Sequence, residues 1–382
     1  MLSGCTSLTK ADIEILNIDP NKNCIKSLKE LFKNCKSLSD VRVALITADG
    51  KNSHFKNIEH LDYMFQSCEA LKEIDFTIKE NGINLYDFNN LVSAEYWFNN
   101  CLNLEKVKFI EEVNFEKVES LIGAFESCKM LNNIFDNSTS PKFYNPEIST
   151  SKLVLDRLFL GCENLPKIFS LNNADFNRVQ SIKNILNGCK KLYGDQGILD
   201  LTNLTFGEYL DMESAFANCE IIEEIRLPII KASAVNNLFN GCKQLANLDV
   251  SVITPVKKVD NIEYGLNNFS YLFNLCQSLT DQTFTGFENW NMEYASNLNH
   301  MFAGCSKLNT LNLSNWHMTK GTEDVNIANM FEGCVNLASI NGLTNWFGDQ
   351  DTVLKPTYKR RFTSTGVQNL FANCSNLNFS NI

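Results

Sequence analysis

The chain has few of the features that identify common functional classes. It carries 34 Lys and Arg against 44 Asp and Glu, and this net charge of −10 argues against generic binding to nucleic acid or anionic membranes. No apolar run approaches the roughly 18–20 residues that a membrane-spanning helix needs. With 382 residues and 44% hydrophobic content, the chain is still long enough to bury a large core.

Motifs for catalysis and for cofactors are absent as well. There are four His, at positions 54, 60, 300 and 317, and none belongs to an H-E-x-x-H motif or a triad-like grouping. The sequence has no Walker loop, no G-x-G-x-x-G loop and no C-x-x-C pair that would favour a zinc site. We therefore expect neither an enzyme nor a protein that holds a cofactor or a metal.

Cysteine, in contrast, is abundant and regularly spaced. Thirteen of the 14 Cys recur at intervals of 23–40 residues, and Cys24 alone lies outside this register. The register cysteines are Cys5, Cys35, Cys68, Cys101, Cys128, Cys162, Cys189, Cys219, Cys242, Cys276, Cys305, Cys334 and Cys374. This regularity indicates an internal repeat rather than the disulfide framework of a small secreted domain.

Each register Cys belongs to a phrase that is clearest at residues 298–313, LNHMFAGCSKLNTLNL. With the Cys as position 0, position −3 is Phe in eleven copies, and positions −7 and −4 are apolar. This i, i+3, i+4, i+7 spacing predicts a short helix with one buried face. Position −1 is Gly in six copies and Asn in four, and both residues tolerate the left-handed conformation that ends a helix.

The second half of the phrase predicts a strand. Position +3 is Leu in twelve copies, position +6 is Val, Ile or Leu in nine, and position +8 is often apolar. One such unit cannot bury its own apolar face, whereas stacked units can. We predict an α/β repeat solenoid of about 13 short helix–turn–strand units, with a continuous parallel sheet and a buried ladder of Cys, Phe and Leu.

The repeats predict a single solenoid domain over residues 1–382. We expect loop excursions near 136–152, 251–268 and 341–366, where polar and Pro-containing segments interrupt the phrase. The chain begins and ends inside a copy of the phrase, which predicts uncapped solenoid ends. The cysteines should be free thiols used in packing, with disulfides between neighbouring rungs or metal binding as the alternatives.

The L-x-x-L-x-L half of the phrase is the strand signature of leucine-rich repeats. Combined with M-F-x-G-C, it resembles the BspA-like leucine-rich repeats of bacterial and protist surface proteins. It is also similar to a related bacterial surface-protein repeat that continues with Ser-Asn-Trp, as residues 314–316 do here. The resemblance implies a non-enzymatic adhesion module, on the cell surface or secreted, that binds a host or neighbouring-cell partner. Free thiols would equally suit an intracellular protein.

A binding function would belong to the positions that the phrase leaves variable, mainly strand positions +5 and +7. We expect a protein or glycan partner, no nucleic acid and no membrane span. The basic run at 359–361 is an anchor for an acidic partner, a trypsin-like protease site or a solvated loop. The candidate partner-binding residues are Asp40, Arg42, Glu73, Asp75, Lys106, Lys108, Glu224, Arg226, Asn247, Asp249, Thr310, Asn312, Lys359, Arg360 and Arg361. The alternative is a structural protein whose open ends stack end to end in a surface layer, virion or filament.

Overall fold

The computed structural model describes residues 2–17, 25–47, 52–53, 55–80, 83–84, 86–109, 114–134, 152–167, 175–346 and 360–378. These residues form a β-solenoid with about ten turns. They divide into two compact units, Met1–Leu192 with Asn203–Gly207 and Tyr193–Thr202 with Glu208–Ile382. Cys24, Lys359, residues 136–151 of one predicted excursion and residues 347–359 of another lie outside the described residues. A single repeat domain over residues 1–382 stays a prediction.

The helix predicted between positions −7 and −1 is wrong, because no α-helix occurs in the described ranges. Overlapping tight turns take its place. In the copy before Cys35, the N–H of Leu31 donates to Leu28 O (3.2 Å), and the N–H of Cys35 donates to Phe32 O (3.0 Å). These bonds across three residues are those of β-turns. All four side chains are still buried, so turns satisfy the same apolar spacing that indicates a helix.

The turns also join neighbouring coils through their backbone. Leu28 N–H donates to His60 O at 3.0 Å, and Phe32 N–H donates to Met64 O at 2.9 Å. A helix would use these N–H groups internally and would leave the coils to be held by side chains. The turn conformation therefore continues the hydrogen bonding from coil to coil.

Two positions of each copy have left-handed backbone. Position −1 has φ between 58° and 78° in all thirteen copies. The left-handed conformation predicted there is confirmed, although it closes a turn rather than a helix. Position −5 is left-handed in all twelve of its copies, with φ between 51° and 61°. Its residues include Glu, Tyr and Arg, so composition carried no signal for this second position.

In its described residues, the first unit contains short strands and a 3₁₀ helix at Phe55–Asn57. Numbered in chain order over both units, its strands are β1 (Lys10–Asn17), β2 (Asp40–Thr47), β3 (Asn52–Ser53), β4 (Glu73–Asp75), β5 (Lys79–Glu80), β6 (Ile83–Asn84), β7 (Lys106–Lys108), β8 (Leu153–Val154), β9 (Asp175–Phe176), β10 (Val179–Ser181) and β12 (Thr205–Phe206). β1 pairs in parallel with β2, and β4 with β7.

The second unit contains the remaining strands and two 3₁₀ helices, Phe287–Asn289 and Leu343–Asn345. Its strands are β11 (Ile198–Asp200), β13 (Leu210–Asp211), β14 (Glu224–Arg226), β15 (Ile230–Ala234), β16 (Leu248–Asp249), β17 (Ile253–Val259), β18 (Ile262–Gly265), β19 (Phe284–Thr285), β20 (Thr310–Asn312) and β21 (Ser339–Asn341). The pairs β11–β14, β16–β19 and β20–β21 are parallel.

Two features of the predicted repeat differ in the structure. Among the described residues, the strands that follow the phrase form separate two- or three-stranded sheets. The strands that precede the phrase also pair in parallel, β8 with β10 in the first unit, and β13 with β15 and β15 with β17 in the second, so parallel stacking is present but not as a sheet of the predicted strands. About ten turns are present instead of about 13 units. Not every copy of the phrase is followed by a strand: after Cys128, Asn133 forms an isolated bridge to Lys106.

The excursion predicted as a loop at 251–268 is an ordered β-hairpin. Residues Ile253–Pro255 of β17 pair in parallel with β15, and β17 then turns back into antiparallel β18, with Val256 opposite Gly265. Asp260 and Asn261 at the tip have φ values of 48° and 64°. Positive φ at both central residues is the requirement of a type I′ turn, which matches the twist of the strands it joins.

The core consists of ladders of like residues. In the first unit, five Phe rings stack with centroids 5.2–5.6 Å apart, and they belong to Phe32, Phe65, Phe98, Phe125 and Phe159. Eleven register thiols each donate to the carbonyl oxygen of position −3 in the preceding copy, at 2.9–3.3 Å. Desolvation raises the pKa of these buried thiols, to about 12 for Cys68. The Cys ladder is therefore a hydrogen-bonded part of the core.

Candidate interaction surface

The outward positions of the strands form rows of polar side chains over a buried row. In β4 and β7 the inward residues Ile74 and Val107 are buried. The flanking Glu73 lies opposite Lys106, and Asp75 lies opposite Lys108, along the parallel pair. Because the alternation of a strand places residues i and i+2 on one face, these four polar side chains share the outer surface of the sheet.

Lys108 links two of the other side chains, Glu73 and Asp75. Its ammonium contacts Glu73 Oε1 and lies 3.5 Å from Asp75 Oδ2. The hydrogen bond to Glu73 raises the pKa of Lys108. Partial burial acts against ionisation of Asp75, but the hydrogen bonds from Thr77 and the charge of Lys108 outweigh it and hold its pKa below the usual value. Both shifts favour the charged forms of Lys108 and Asp75, which pair with each other.

The same arrangement occurs in β1 and β2. Lys10 Nζ lies 2.7 Å from Asp40 Oδ2, and its hydrogen bond to Asp40 raises the pKa of Lys10. Arg42 Nη1 lies 3.0 Å from Asp12 Oδ1 and 3.7 Å from Glu14 Oε1. The predicted residues Asp40 and Arg42 thus take part in ion pairs between adjacent coils.

In the second unit, β11 and β14 carry a further charged group. Arg226 Nε donates to Glu224 Oε1 at 2.5 Å, and Arg226 Nη1 lies 3.7 Å from Asp200 Oδ2. Hydrogen bonds from Thr202 are the main cause of a lowered pKa of Asp200, with a further contribution from Arg226. Predicted residues Glu224 and Arg226 are therefore brought together, along with an acid that the repeat pattern had not singled out.

The other predicted strand residues of this unit have uncharged or acidic neighbours. Asn247 is exposed, and its backbone forms an isolated parallel β-bridge with Glu224. Asp249 Oδ1 accepts a hydrogen bond from the Ser251 N–H at 2.9 Å. Thr310 Oγ1 donates to Asp281 Oδ2 at 3.1 Å. Thr310 and Asn312 line an open hollow of about 220 Å³, whose other walls are Asp281, Phe284, Thr285, Phe287, Glu288 and Leu311.

The basic run at 359–361 does not form a common exposed cluster in its described part. Arg361 is exposed, and its Nε lies 3.4 Å from Asp324 Oδ2. Arg360 is 5% exposed, and its guanidinium donates to backbone carbonyl oxygens. The acceptors are Glu293 (3.1 Å), Ala295 (2.5 Å), Met318 (3.2 Å), Lys320 (2.6 Å) and Glu323 (2.9 Å). Arg360 therefore braces the second unit and is not presented to a partner.

One group of side chains has the composition of a hydrolase triad. His60 Nδ1 lies 2.9 Å from Ser93 Oγ, and Ser93 Oγ donates to the buried Asp62 at 2.9 Å. The serine hydroxyl is thus directed to the acid, whereas a triad needs the serine to donate to the histidine. The same serine-to-acid bond recurs without histidine, as between Ser181 and Asp156 at 2.5 Å. The group is a structural brace between coils.

Position −5 carries an aromatic surface row that the repeat pattern did not single out. Tyr63 and Tyr96 stack with centroids 5.3 Å apart, and Lys33 Nζ lies 4.8 Å from the centre of the Tyr63 ring. In the second unit, Tyr271 stacks on His300 at 4.5 Å. Desolvation lowers the pKa of His300. Apolar periodicity could not find these residues because they are half exposed and lie between core positions.

The geometry also bears on metal binding and on membrane spanning. Within the described ranges, no group of three or more His, Cys, Asp or Glu side chains is placed to hold a metal ion. In the same part of the chain, no helix has the length and apolar character needed to cross a membrane.

Several solved structures are similar to this chain at low identity. A leucine-rich repeat protein from Bacteroides ovatus is 18% identical, with 94% of this chain and 85% of that chain covered and a TM-score of 0.43. A leucine-rich cell surface protein from Faecalibacterium prausnitzii is 16% identical, with 88% and 74% covered and a TM-score of 0.32. An internalin from Listeria monocytogenes is 11% identical, with 98% and 86% covered and a TM-score of 0.26.

Sequence comparison gives the family. No curated protein sequence is significantly similar to the chain. A family model matches residues 1–137, 59–192 and 210–359, which together include most of the sequence, and it is not a BspA model. The chain belongs to the family described as Mycoplasma protein of unknown function, DUF285.

Proposed function

We propose that this chain is a non-enzymatic protein-interaction module that binds a partner through the outward face of its strands. The observation that carries the proposal is the division of labour within the repeat. The phrase residues are buried and hydrogen-bonded from coil to coil, whereas the outward residues are polar, exposed or half-buried, and different from copy to copy. A stack of this kind holds variable side chains at fixed spacings, which is how solenoid proteins bind extended surfaces.

The charges of this face favour a protein partner with a mixed surface. Rows such as Lys10–Asp40 and Glu73–Lys108 alternate in sign, and the ion pairs restrain their side chains before binding. Preorganised side chains lose less conformational entropy on association. We further propose exposure on a cell surface or secretion, with an intracellular location as the alternative, and binding to a host or neighbouring-cell protein.

Binding of the purified chain to immobilised fibronectin, fibrinogen, laminin and collagen, measured by biolayer interferometry, tests the proposal. Lys108→Glu reverses a charge at the centre of the first unit's face. It should weaken binding about tenfold or more if the contact is central, since truncating or reversing paired interface charges costs 2–5 kcal/mol. Raising the salt concentration should slow association.

Lys190→Glu is the matched control. Lys190 is also exposed and ion-paired in the first unit, with its Nζ 3.0 Å from Glu163 Oε2, but it belongs to the turn after Cys189 rather than to a strand. It should leave binding unchanged. Equal losses from both variants, or no binding to any protein tested, would count against the proposed face. Light scattering of the same samples over a range of concentrations tests the alternative of end-to-end assembly.

A further inference from the structure

The base of the hairpin in the second unit forms one wall of a cavity. It has a volume of about 470 Å³, within the usual range of small-ligand sites, and it lies between the base of the hairpin and residues 286–291. Its floor is apolar, with Ile253, Val256 and Trp290 all buried. The Trp290 indole is fixed by an Nε1–H bond to Val250 O at 3.4 Å.

Two glycines set the distance between the cavity walls. A Cβ at Gly265 would lie 2.8 Å from Asn291 O, and one at Gly286 would lie 2.1 Å from Ser251 N. Gly286 also has φ of 99°, a conformation that favours glycine. These close backbone contacts hold the hairpin against the following segment, so the cavity is formed before any ligand binds.

The rim of the cavity is polar and has unused hydrogen-bonding capacity. The side chains of Thr254, Tyr264 and Asn289 line it, and they make no hydrogen bond to any described residue. The Tyr264 ring is held edge-on to Tyr294, with centroids 5.6 Å apart. An amide and two hydroxyls supply both donors and acceptors without charge.

The one carboxylate on the rim is already neutralised. Glu263 Oε1 accepts hydrogen bonds from Lys231 Nζ at 2.7 Å and from Tyr209 OH at 2.6 Å. The cavity therefore offers no free charge of either sign to a ligand. Pro255 forms part of the wall and has no N–H, so this strand edge is poorly suited to pairing with an extended peptide.

We propose that this cavity binds a short neutral oligosaccharide of about two sugar units. The apolar part of the cavity lining would pack against the C–H groups of a sugar ring, and Thr254, Tyr264 and Asn289 would bond to its hydroxyls. A neutral carbohydrate is the ligand class that needs both kinds of contact and no ion pair. This site is separate from the outward strand face and does not depend on the protein-binding function proposed for that face.

Saturation-transfer NMR and calorimetry with chitobiose, cellobiose, lactose and maltose, at up to about 10 mM, test the proposal on the full chain. At least one of these disaccharides should bind saturably at a single site. Asn289→Ala should weaken that binding about 3–10-fold, the usual effect of one neutral hydrogen bond. Thr254→Trp, at an exposed strand position on the rim, should block the cavity and abolish binding.

Asn309→Ala is the control, because Asn309 is an exposed asparagine of the same unit that does not line the cavity. It should leave the dissociation constant unchanged, and all variants should keep the wild-type melting temperature. Absence of saturable binding to every neutral disaccharide would overturn the proposal. So would binding that survives Thr254→Trp, or binding of a sulfated heparin disaccharide or of tetra-alanine alone.

Discussion

Among substitutions in the basic run at 359–361, replacing Arg360 should destabilise the second unit most. The guanidinium is buried and donates at least five hydrogen bonds to backbone carbonyls. Hydrogen bonds from a charged group contribute roughly 1.5–3 kcal/mol each, but their sum overestimates the loss because freed carbonyls become hydrated. A buried carbonyl oxygen left without a donor costs about 1–3 kcal/mol, and because most of the five become hydrated we expect a total loss of about 3–5 kcal/mol for Arg360→Met.

Urea unfolding followed by tryptophan fluorescence measures this free energy, and Trp290, Trp316 and Trp346 all lie in the same unit as Arg360. A loss of this size corresponds to a melting temperature lower by about 6–20 °C for a domain of about 150–250 residues. The free energy of unfolding of Arg360→Lys should lie between those of the wild type and of Arg360→Met. An ammonium has three donors on one nitrogen and cannot reach all the carbonyls.

Arg361→Met is the matched control for this prediction. The Arg361 side chain is 78% exposed and has one contact, to Asp324 at 3.4 Å. Surface ion pairs of this kind contribute roughly 0–1 kcal/mol. Equal destabilisation by the two substitutions, or a loss below about 1 kcal/mol for Arg360→Met, would refute the bracing role of Arg360.

Three further predictions follow from the repeat. Cys68 should react with iodoacetamide at pH 8 roughly a thousandfold more slowly in the folded chain than in urea, because its pKa is raised to about 12. The exposed Cys5 should react at once in both states. Mass spectrometry of tryptic peptides measures the labelling of both thiols. Asn34 has φ of 60°, so Asn34→Gly should leave the free energy of unfolding in urea nearly unchanged, whereas Asn34→Val should lower it by about 1–2 kcal/mol. Equal effects of the two substitutions would argue against the left-handed turn. The pKa of Asp75 is lower in the folded state than in the unfolded state, so its contribution to stability is present above the unfolded pKa and is lost as pH falls below about 4. Asp75→Asn should therefore reduce the dependence of the melting temperature on acid pH. An unchanged pH profile of the melting temperature would contradict this.

The core of each coil follows closely from the sequence. The apolar positions around Cys305, including Met301, Phe302 and Leu308, are all buried as their spacing predicts. The left-handed residue at Gly304 was also predictable, because Gly and Asn dominate this position. Thirteen aligned copies average out local exceptions, so side chains repeated at one position report the environment of that position.

The helix was wrongly predicted because apolar periodicity does not identify backbone hydrogen bonds. A run of tight turns places residues −7, −4, −3 and 0 inward just as a helix would, and its N–H groups bond to the next coil instead. The hairpin at 253–265 did carry a signal, since Asp260-Asn261 between Val259 and Ile262 suits a type I′ turn. The sequence carried no signal for the burial of Arg360, because its acceptors are backbone carbonyls in distant segments.

The candidate surfaces were predictable only in part. Alternation along a strand placed Asp40, Arg42 and Lys108 on the outward face, where ion pairs connect them to neighbouring strands. The cavity beside Trp290 could not be inferred, because it depends on a hairpin that departs from the repeat. Features shared by all copies are visible in the sequence, whereas features of one copy need the structure.

The most direct measurement compares the wild type with a variant in which six outward residues of the first unit are replaced by serine. The replaced residues are Asp40, Arg42, Glu73, Asp75, Lys106 and Lys108. The wild type should bind at least one of the four immobilised matrix proteins saturably, and the variant should bind none while keeping the circular dichroism spectrum of a folded β-solenoid. Equal dissociation constants for the two chains, or no binding by the wild type, would contradict a function located in the variable outward positions.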